Sequence, residues 1–490
     1  MPIAPRSESS RRAAVAALSM LLAALLAACG PAFKVPELDR LYNEAAQNIG
    51  DERNPVVVIP GILGTRLIDP ETGGTVWGAF TRTTVNPASD NGARTVALPL
   101  AEGVPLDQLT DGVATDGVLD RLELDLLLLR GLRLSAYVDI LATLAAGEYR
   151  DSELGDAGVI DYGGAHYTCF QFPYDWRREI SEHAPALHEM ILSAKRANPR
   201  HADRGDDLKV DVVAHSMGGL VLRYYLRYGP HPIGPDGEIP PLTWEGARHV
   251  ENAILVATPN AGSVSALEQL VEGVRFAPFT AKYRAPLLGT FPSIYQLLPR
   301  TRHARVVDAA SGEPIDLFDP ATWEDRGWGL AGERDAETLA RLIPDAEDDA
   351  ARRRIARDHL AKSLRAARAF HEAIDRPAAP PAGLRLHLFT GDAEPTASIL
   401  RSDARSGRLR TALKAPGDGT VTRRSALMDE RVGTTYAPFL RSPIAWDRAF
   451  FLPKDHLGLT RDPSFTNNLL FILLERPSAV GPSGPPNTDR

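Results

Sequence analysis

Apolar residues along this chain gather into short runs separated by longer stretches of mixed polarity. The run Val56-Val57-Val58-Ile59, held between Pro55 and Pro60, is too short for a helix and ends at Pro-Gly. It reads as a buried strand followed by a tight loop. Tyr167–Phe172, Leu208–Ala214, Asn252–Ala257 and Leu384–Phe389 read the same way. Between them lie helical patterns at Leu122–Leu129 with Tyr137–Leu144, at the amphipathic His183–Arg196, and at Leu220–Tyr228. Apolar strands alternating with helices predict an α/β fold, with a mainly parallel central sheet flanked by helices on both faces.

From Gly262 to Ala379 the pattern changes. Strand signals thin out, Pro, Asp and Arg become frequent, and a charged helix runs from Asp345 to Ile374. The block 262–379 reads as an inserted helical cap over the carboxyl edge of the sheet, where ligand crevices of such sheets lie. The core is then split into 54–261 and 380–476, and the Pro-, Gly- and Ser-rich residues 477–490 read as a disordered tail.

The amino terminus adds a destination. Arg11 and Arg12 precede an apolar run from Ala13 to Ala28, the pattern of a secretory signal peptide over residues 1–28. Leu26-Ala27-Ala28-Cys29 resembles a bacterial lipobox, which implies cleavage before Cys29 and acylation of that residue. Gly30 is compatible, by the same resemblance, with sorting to the outer membrane. Residues 29–53 then read as a tether, and the expected location is the bacterial cell envelope. Without residues 1–28 and with Cys29 acylated, Cys169 is the one remaining thiol, so no intrachain disulfide is expected. The net charge of -8, with no dense basic run, argues against nucleic acid as a partner. No CxxC, HExxH or Walker-type loop occurs, so neither a metal nor a cofactor is expected.

The chemistry centres on Ala214-His215-Ser216-Met217-Gly218. A string of Gly/Ala-x-Ser-x-Gly arises by chance about 0.4 times in a chain of this composition. Its place between an apolar strand and an apolar helix is what singles it out as a nucleophile elbow, with Ser216 as nucleophile. Ala214 stands where a Gly is usual. The Met217 N–H is a natural oxyanion donor, and Pro60–Gly64 is placed to supply a second. A Ser–acid–His order requires a base downstream, and His456 is the one His of twelve that follows both acid candidates, Asp392 and Asp418. Asp455 adjoins His456 in sequence and is badly placed to orient it. His215 reads as a packing residue, because neighbours at i and i+1 point apart.

With these pieces assembled, the chain resembles the lecithin:cholesterol acyltransferase family, with its phospholipid:diacylglycerol acyltransferases and related phospholipases, within the α/β-hydrolase superfamily. Pro55–Gly64 looks like the family's opening strand and oxyanion loop, and Pro173-Tyr174-Asp175-Trp176-Arg177 like its Pro-Tyr-Asp-Trp-Arg segment. Ala257–Ser263, Gly417-Asp418-Gly419-Thr420-Val421 and Asp455-His456-Leu457 are similar to later motifs, in order. The resemblance implies Leu63 and Met217 as oxyanion donors, Asp418 as the acid, and acyl transfer or hydrolysis on an acyl-ester lipid. The animal enzymes' lid cysteines are absent, and Trp77 falls near their lid tryptophan. A surface carboxylesterase, a polyester esterase and a non-catalytic lipid-binding module are the rival readings.

Overall fold

The computed structural model describes residues 53–475, apart from 81–83, 120–122, 125–135, 163–166, 199–201, 203–204, 277–279 and 432–436, together with Tyr42 and Ala46. Residues 1–28, read above as a signal peptide, Cys29 and the 477–490 tail lie outside the described residues.

Six strands form the central sheet: β1 (Val56–Ile59), β2 (Cys169–Gln171), β3 (Val210–His215), β4 (Val250–Val256), β5 (Arg385–Gly391) and β8 (Trp446–Leu452). Their spatial order is β8-β5-β4-β3-β1-β2, and every pairing is parallel. Between β5 and β8 the chain makes an antiparallel hairpin of β6 (Glu394–Ser402) and β7 (Leu409–Gly417). The helices that matter below are α1 (Ala136–Ala146), α2 (Ala184–Ala197), α3 (Met217–Tyr228), α4 (Val264–Glu272), α5 (Asp349–Asp375) and α6 (Pro463–Leu470).

Side chains alternate across a strand, and here both faces are buried. Val57, Ile59, Val210, Val212 and Ala214 enter one apolar cluster, while Val56, Val58, Val213, Ile254 and Val256 enter the other. That is why these strands read as predominantly apolar runs. Burying each of the Val and Ile side chains contributes about 2 kcal/mol. The architecture is an α/β-hydrolase fold, as expected.

The sheet reverses direction between β1 and β3. From β1 the chain moves outward to β2, then returns to place β3 on the other side of β1. A parallel sheet opens a crevice at the carboxyl ends of its strands at such a point. The loops after β1 and β3 carry Leu63 and Ser216.

Two local expectations change. Of the helix expected over Leu122–Leu129, Glu123–Leu124 are described, and they pair with Ala79–Phe80 as a two-residue strand. Within 29–53, Tyr42 is buried, with its hydroxyl 2.7 Å from the Asn467 carbonyl on α6.

The segment 262–379 contains α4, α5 and shorter helices, and also a strand, Val306–Asp308, that pairs in parallel with β6. The last turn of α5 is held by α3. Arg223 donates to the Ile374 carbonyl at 2.9 Å, Tyr228 to the Ala373 carbonyl at 2.8 Å, and Arg227 to the Arg376 carbonyl. Cations at a helix carboxyl end satisfy its free carbonyls and oppose its dipole.

Candidate active site

Ser216 lies between the end of β3 and the first turn of α3, with φ 52° and ψ -124°. A positive φ on a non-glycine residue costs on the order of 1–3 kcal/mol and persists only where neighbours enforce it. Here the Ser216 N–H donates to the Val256 carbonyl at 2.7 Å, and the Gly219 N–H donates to the Ser216 carbonyl at 3.0 Å. Gly218 is required by close approach, since a Cβ there would sit 2.3 Å from the Pro60 carbonyl oxygen. Ala214 is different. It lies within β3, outside the positive-φ residues, in register with Ile59 and Leu255, so a methyl group is accommodated where the motif usually has Gly.

Asp418 and His456 meet Ser216 from β7 and β8. His456 Nε2 is 3.0 Å from Ser216 Oγ, and His456 Nδ1 is 2.8 Å from Asp418 Oδ2. The other carboxylate oxygen of Asp418 accepts the N–H groups of Val421 at 2.6 Å and Thr420 at 2.9 Å. Burial works against the charge of Asp418. The facing His456 and these N–H donors outweigh it and hold the carboxyl below the usual carboxylate range. The His456 N–H also donates to the Asp418 carbonyl at 2.9 Å.

The rival acids make other contacts. Asp392, at the end of β5, faces Arg423 at 3.5 Å. Asp455 is exposed and accepts the Gly458 N–H at 2.6 Å. The hairpin explains how Asp418 reaches the end of β5 from so far along the chain. Its register pairs Glu394 with Gly417, so β7 returns to the point where β6 left. At Gly391, the last residue of β5, a Cβ would meet the Lys454 carbonyl oxygen at 2.5 Å and the Asp418 Cβ at 2.7 Å. Only glycine lets the two loops crowd that strand end.

Leu63 adopts φ 66° in the loop after β1. Three aromatic residues brace this loop. Trp77 Nε1–H donates to the Leu63 carbonyl at 2.7 Å, Tyr174 donates to the Pro60 carbonyl at 2.9 Å, and the Gly61 N–H donates to the Tyr137 hydroxyl at 2.8 Å. Tyr174 belongs to the Pro-Tyr-Asp-Trp-Arg segment. Its neighbour Trp176 donates to the Thr65 carbonyl at 3.2 Å, and buried Arg177 is fixed by Asp175 and Asp111. Met217 opens α3, so its N–H is among the first-turn donors that have no intrahelical acceptor.

A cavity of about 600 Å³ opens over these groups, within the usual range for small-molecule sites. Ser216, His456, Asp418 and Leu63 line it, with Ile62, Phe276, Ile294, Leu297 and Leu457 as its apolar wall. Tyr137 and His215 also reach it, and sequence reasoning missed both. Arg461 at the wall pairs with Asp139 of α1 at 2.9 Å.

Residues 161–321, about a third of the chain, match the family model described as lecithin:cholesterol acyltransferase. The family resemblance therefore holds over a segment that includes the Pro173–Arg177 motif, Ser216 and Ala257–Ser263, while Leu63, Asp418 and His456 lie outside it. No curated protein sequence matches the chain. Among solved structures, the chain is similar to one from a Tle4–Tli4 complex at 16% identity, covering 86% of this chain and 98% of that one, with a TM-score of 0.49. It is also similar to lipase 1 from Pelosinus fermentans at 14% identity, covering 87% and 100%, TM-score 0.31. EstA from Clostridium botulinum is a third, at 12% identity, covering 87% and 88%, TM-score 0.31.

Proposed function

We propose that this chain is a serine-dependent lipid acyl hydrolase or acyltransferase. The observation that carries the reading is the hydrogen-bonded series Ser216–His456–Asp418 opening onto a large, mostly apolar cavity. Ser216 Oγ attacks the ester carbonyl while His456 Nε2 takes its proton. Asp418 holds the imidazole by Nδ1–H and offsets its charge as it becomes imidazolium. The N–H groups of Leu63 and Met217 hold the oxyanion. Collapse breaks the ester C–O bond, His456 returns the proton to the departing alcohol, and the acyl group stays on Ser216. Water or a lipid alcohol then takes the acyl group by the reverse sequence. The apolar wall suits a fatty acyl chain, and the matched family supports an acyl-ester lipid as donor. Export and acyl anchoring through Cys29 at the bacterial cell envelope belong to the same proposal, on the strength of the first 29 residues; such an anchor sets the site at a membrane surface.

A fluorophosphonate probe should label folded protein at Ser216, and Ser216→Ala should abolish labelling. An unlabelled wild-type protein overturns the reading. Product analysis with phospholipid alone, then with added sterol or diacylglycerol, separates the two acceptors. Free fatty acid as sole product in both assigns hydrolysis.

A further inference from the structure

We infer that His215 and Tyr137 form a buried relay that positions the acyl-transfer machinery, by tying the loop after β1 to the main chain of His456; the inference rests on the proposed function. The Gly61 N–H donates to the Tyr137 hydroxyl at 2.8 Å, and that hydroxyl lies 3.4 Å from His215 Nδ1. His215 Nε2 lies 3.1 Å from the His456 carbonyl oxygen. A carbonyl only accepts, so Nε2 carries the hydrogen and Nδ1 is left to accept. The Tyr137 O–H therefore donates to Nδ1 while its lone pair receives the Gly61 N–H. Every group in the series has one direction, and the series runs without a gap from Gly61 to His456.

Both side chains are buried. The titratable groups facing His215 are Tyr137 from α1, His456, whose ring centre is 5.1 Å away, and Asp418 beyond it. Burial, with His456 second, pushes the His215 imidazole down to about 3, so it stays neutral when its neighbour becomes imidazolium. The relay touches no reacting atom. It holds two backbone elements at a fixed separation: the loop carrying Leu63 and the loop carrying the His456 ring. Reacting groups held in place are worth large factors in rate, and small displacements lose them.

Tyr137→Phe removes one hydroxyl and little volume. With p-nitrophenyl butyrate as probe, kcat should fall about tenfold while KM changes less than about twofold, the mark of lost positioning rather than lost binding. His215→Gln keeps an amide N–H for the His456 carbonyl and an amide oxygen as an acceptor for the Tyr137 hydroxyl, so it should outperform His215→Leu, which has neither. Adding Tyr137→Phe to His215→Leu should then cost little more, since that link is already cut. A Tyr137→Phe enzyme within twofold of wild-type kcat overturns the relay and leaves the proposed function standing. Should the wild-type protein neither label nor turn over, the proposed function falls, and the relay is judged by nitrogen NMR alone. Wild-type His215, assigned by its loss in His215→Gln, should show the neutral Nε2–H form from pH 5 to 9. The Nδ1–H form there overturns the relay.

Discussion

At Ser216 the strained backbone is enforced by close packing on either side, and substitutions there test the packing rather than the chemistry. Gly218→Ala places a methyl group against the Pro60 carbonyl. It should lower stability by about 1–3 kcal/mol and reduce fluorophosphonate labelling, because the strand-to-helix turn must open to admit it. Equal urea midpoints for variant and wild type would contradict this. Asp418→Asn and Asp392→Asn make a second comparison. Asp418→Asn should lower kcat by a factor on the order of 10⁴, since an amide in place of the carboxylate selects the wrong tautomer. Asp392→Asn, facing Arg423 near the surface, should change kcat less than twofold. The reverse ranking in steady-state assays would reassign the acid. At this scale the sequence was readable where chain order constrains it: a single histidine follows both acid candidates. It was not readable at His215. The rule that adjacent side chains diverge holds along a regular strand, but the positive φ at Ser216 turns the chain there, and the His215 and Ser216 side chains both line the cavity over His456.

Among the elements, legibility followed burial. β1, β3, β4 and β5 are buried on both faces and announce themselves as apolar runs, with ends within two residues of those expected. The hairpin was invisible because β7 is almost wholly exposed between its ends, so no alternation of apolar and polar residues marks it. Its strand character comes from pairing with β6, which sequence periodicity does not record. The inserted segment depends on a different link. Arg223, buried, joins α3 to the end of α5 and also binds the Asn260 side chain at 3.1 Å. Arg223→Met would strand both acceptors, and a loss of about 2–4 kcal/mol is expected. Proteolysis of the native variant should begin in or near α5. A wild-type cleavage pattern at wild-type stability would dismiss the link.

The whole molecule carries several buried imidazoles kept neutral by desolvation. His215 is pushed down to about 3, and His183 and His359 to about 4. In the unfolded chain these groups take up protons near pH 6.5, and in the folded chain not until far lower. Protons therefore favour unfolding across that window. Stability is full above about pH 6.5 and declines as pH falls towards 4, by on the order of 1.4 kcal/mol per unit for each group. Glu179 has the opposite sign. Burial, with Glu182 nearby, pushes its carboxyl up to about 8. Its effect is absent at low pH and grows unfavourable as pH rises from the unfolded value to 8. Urea unfolding at a series of pH values should show a maximum near neutrality. Glu179→Gln should flatten the alkaline side and steepen the acid side between about pH 4.5 and 6.5, where the Glu179 and histidine windows overlap with opposite signs. A flat acid limb would mean these histidines titrate freely.

The return of the β6–β7 hairpin to its starting point separates distance along the chain from distance in space. Because Glu394 and Gly417 close the excursion, the length of the hairpin does not set where Asp418 lies; its far end is tied instead to the inserted segment, where the Trp328 Nε1–H donates to the Gly407 carbonyl at 2.6 Å. Shortening both arms there by one facing pair leaves Asp418 against His456, whereas deleting a residue from one arm turns that arm's faces over. Hairpin length and acid position are therefore independent of one another in this chain, so long as the two arms change together.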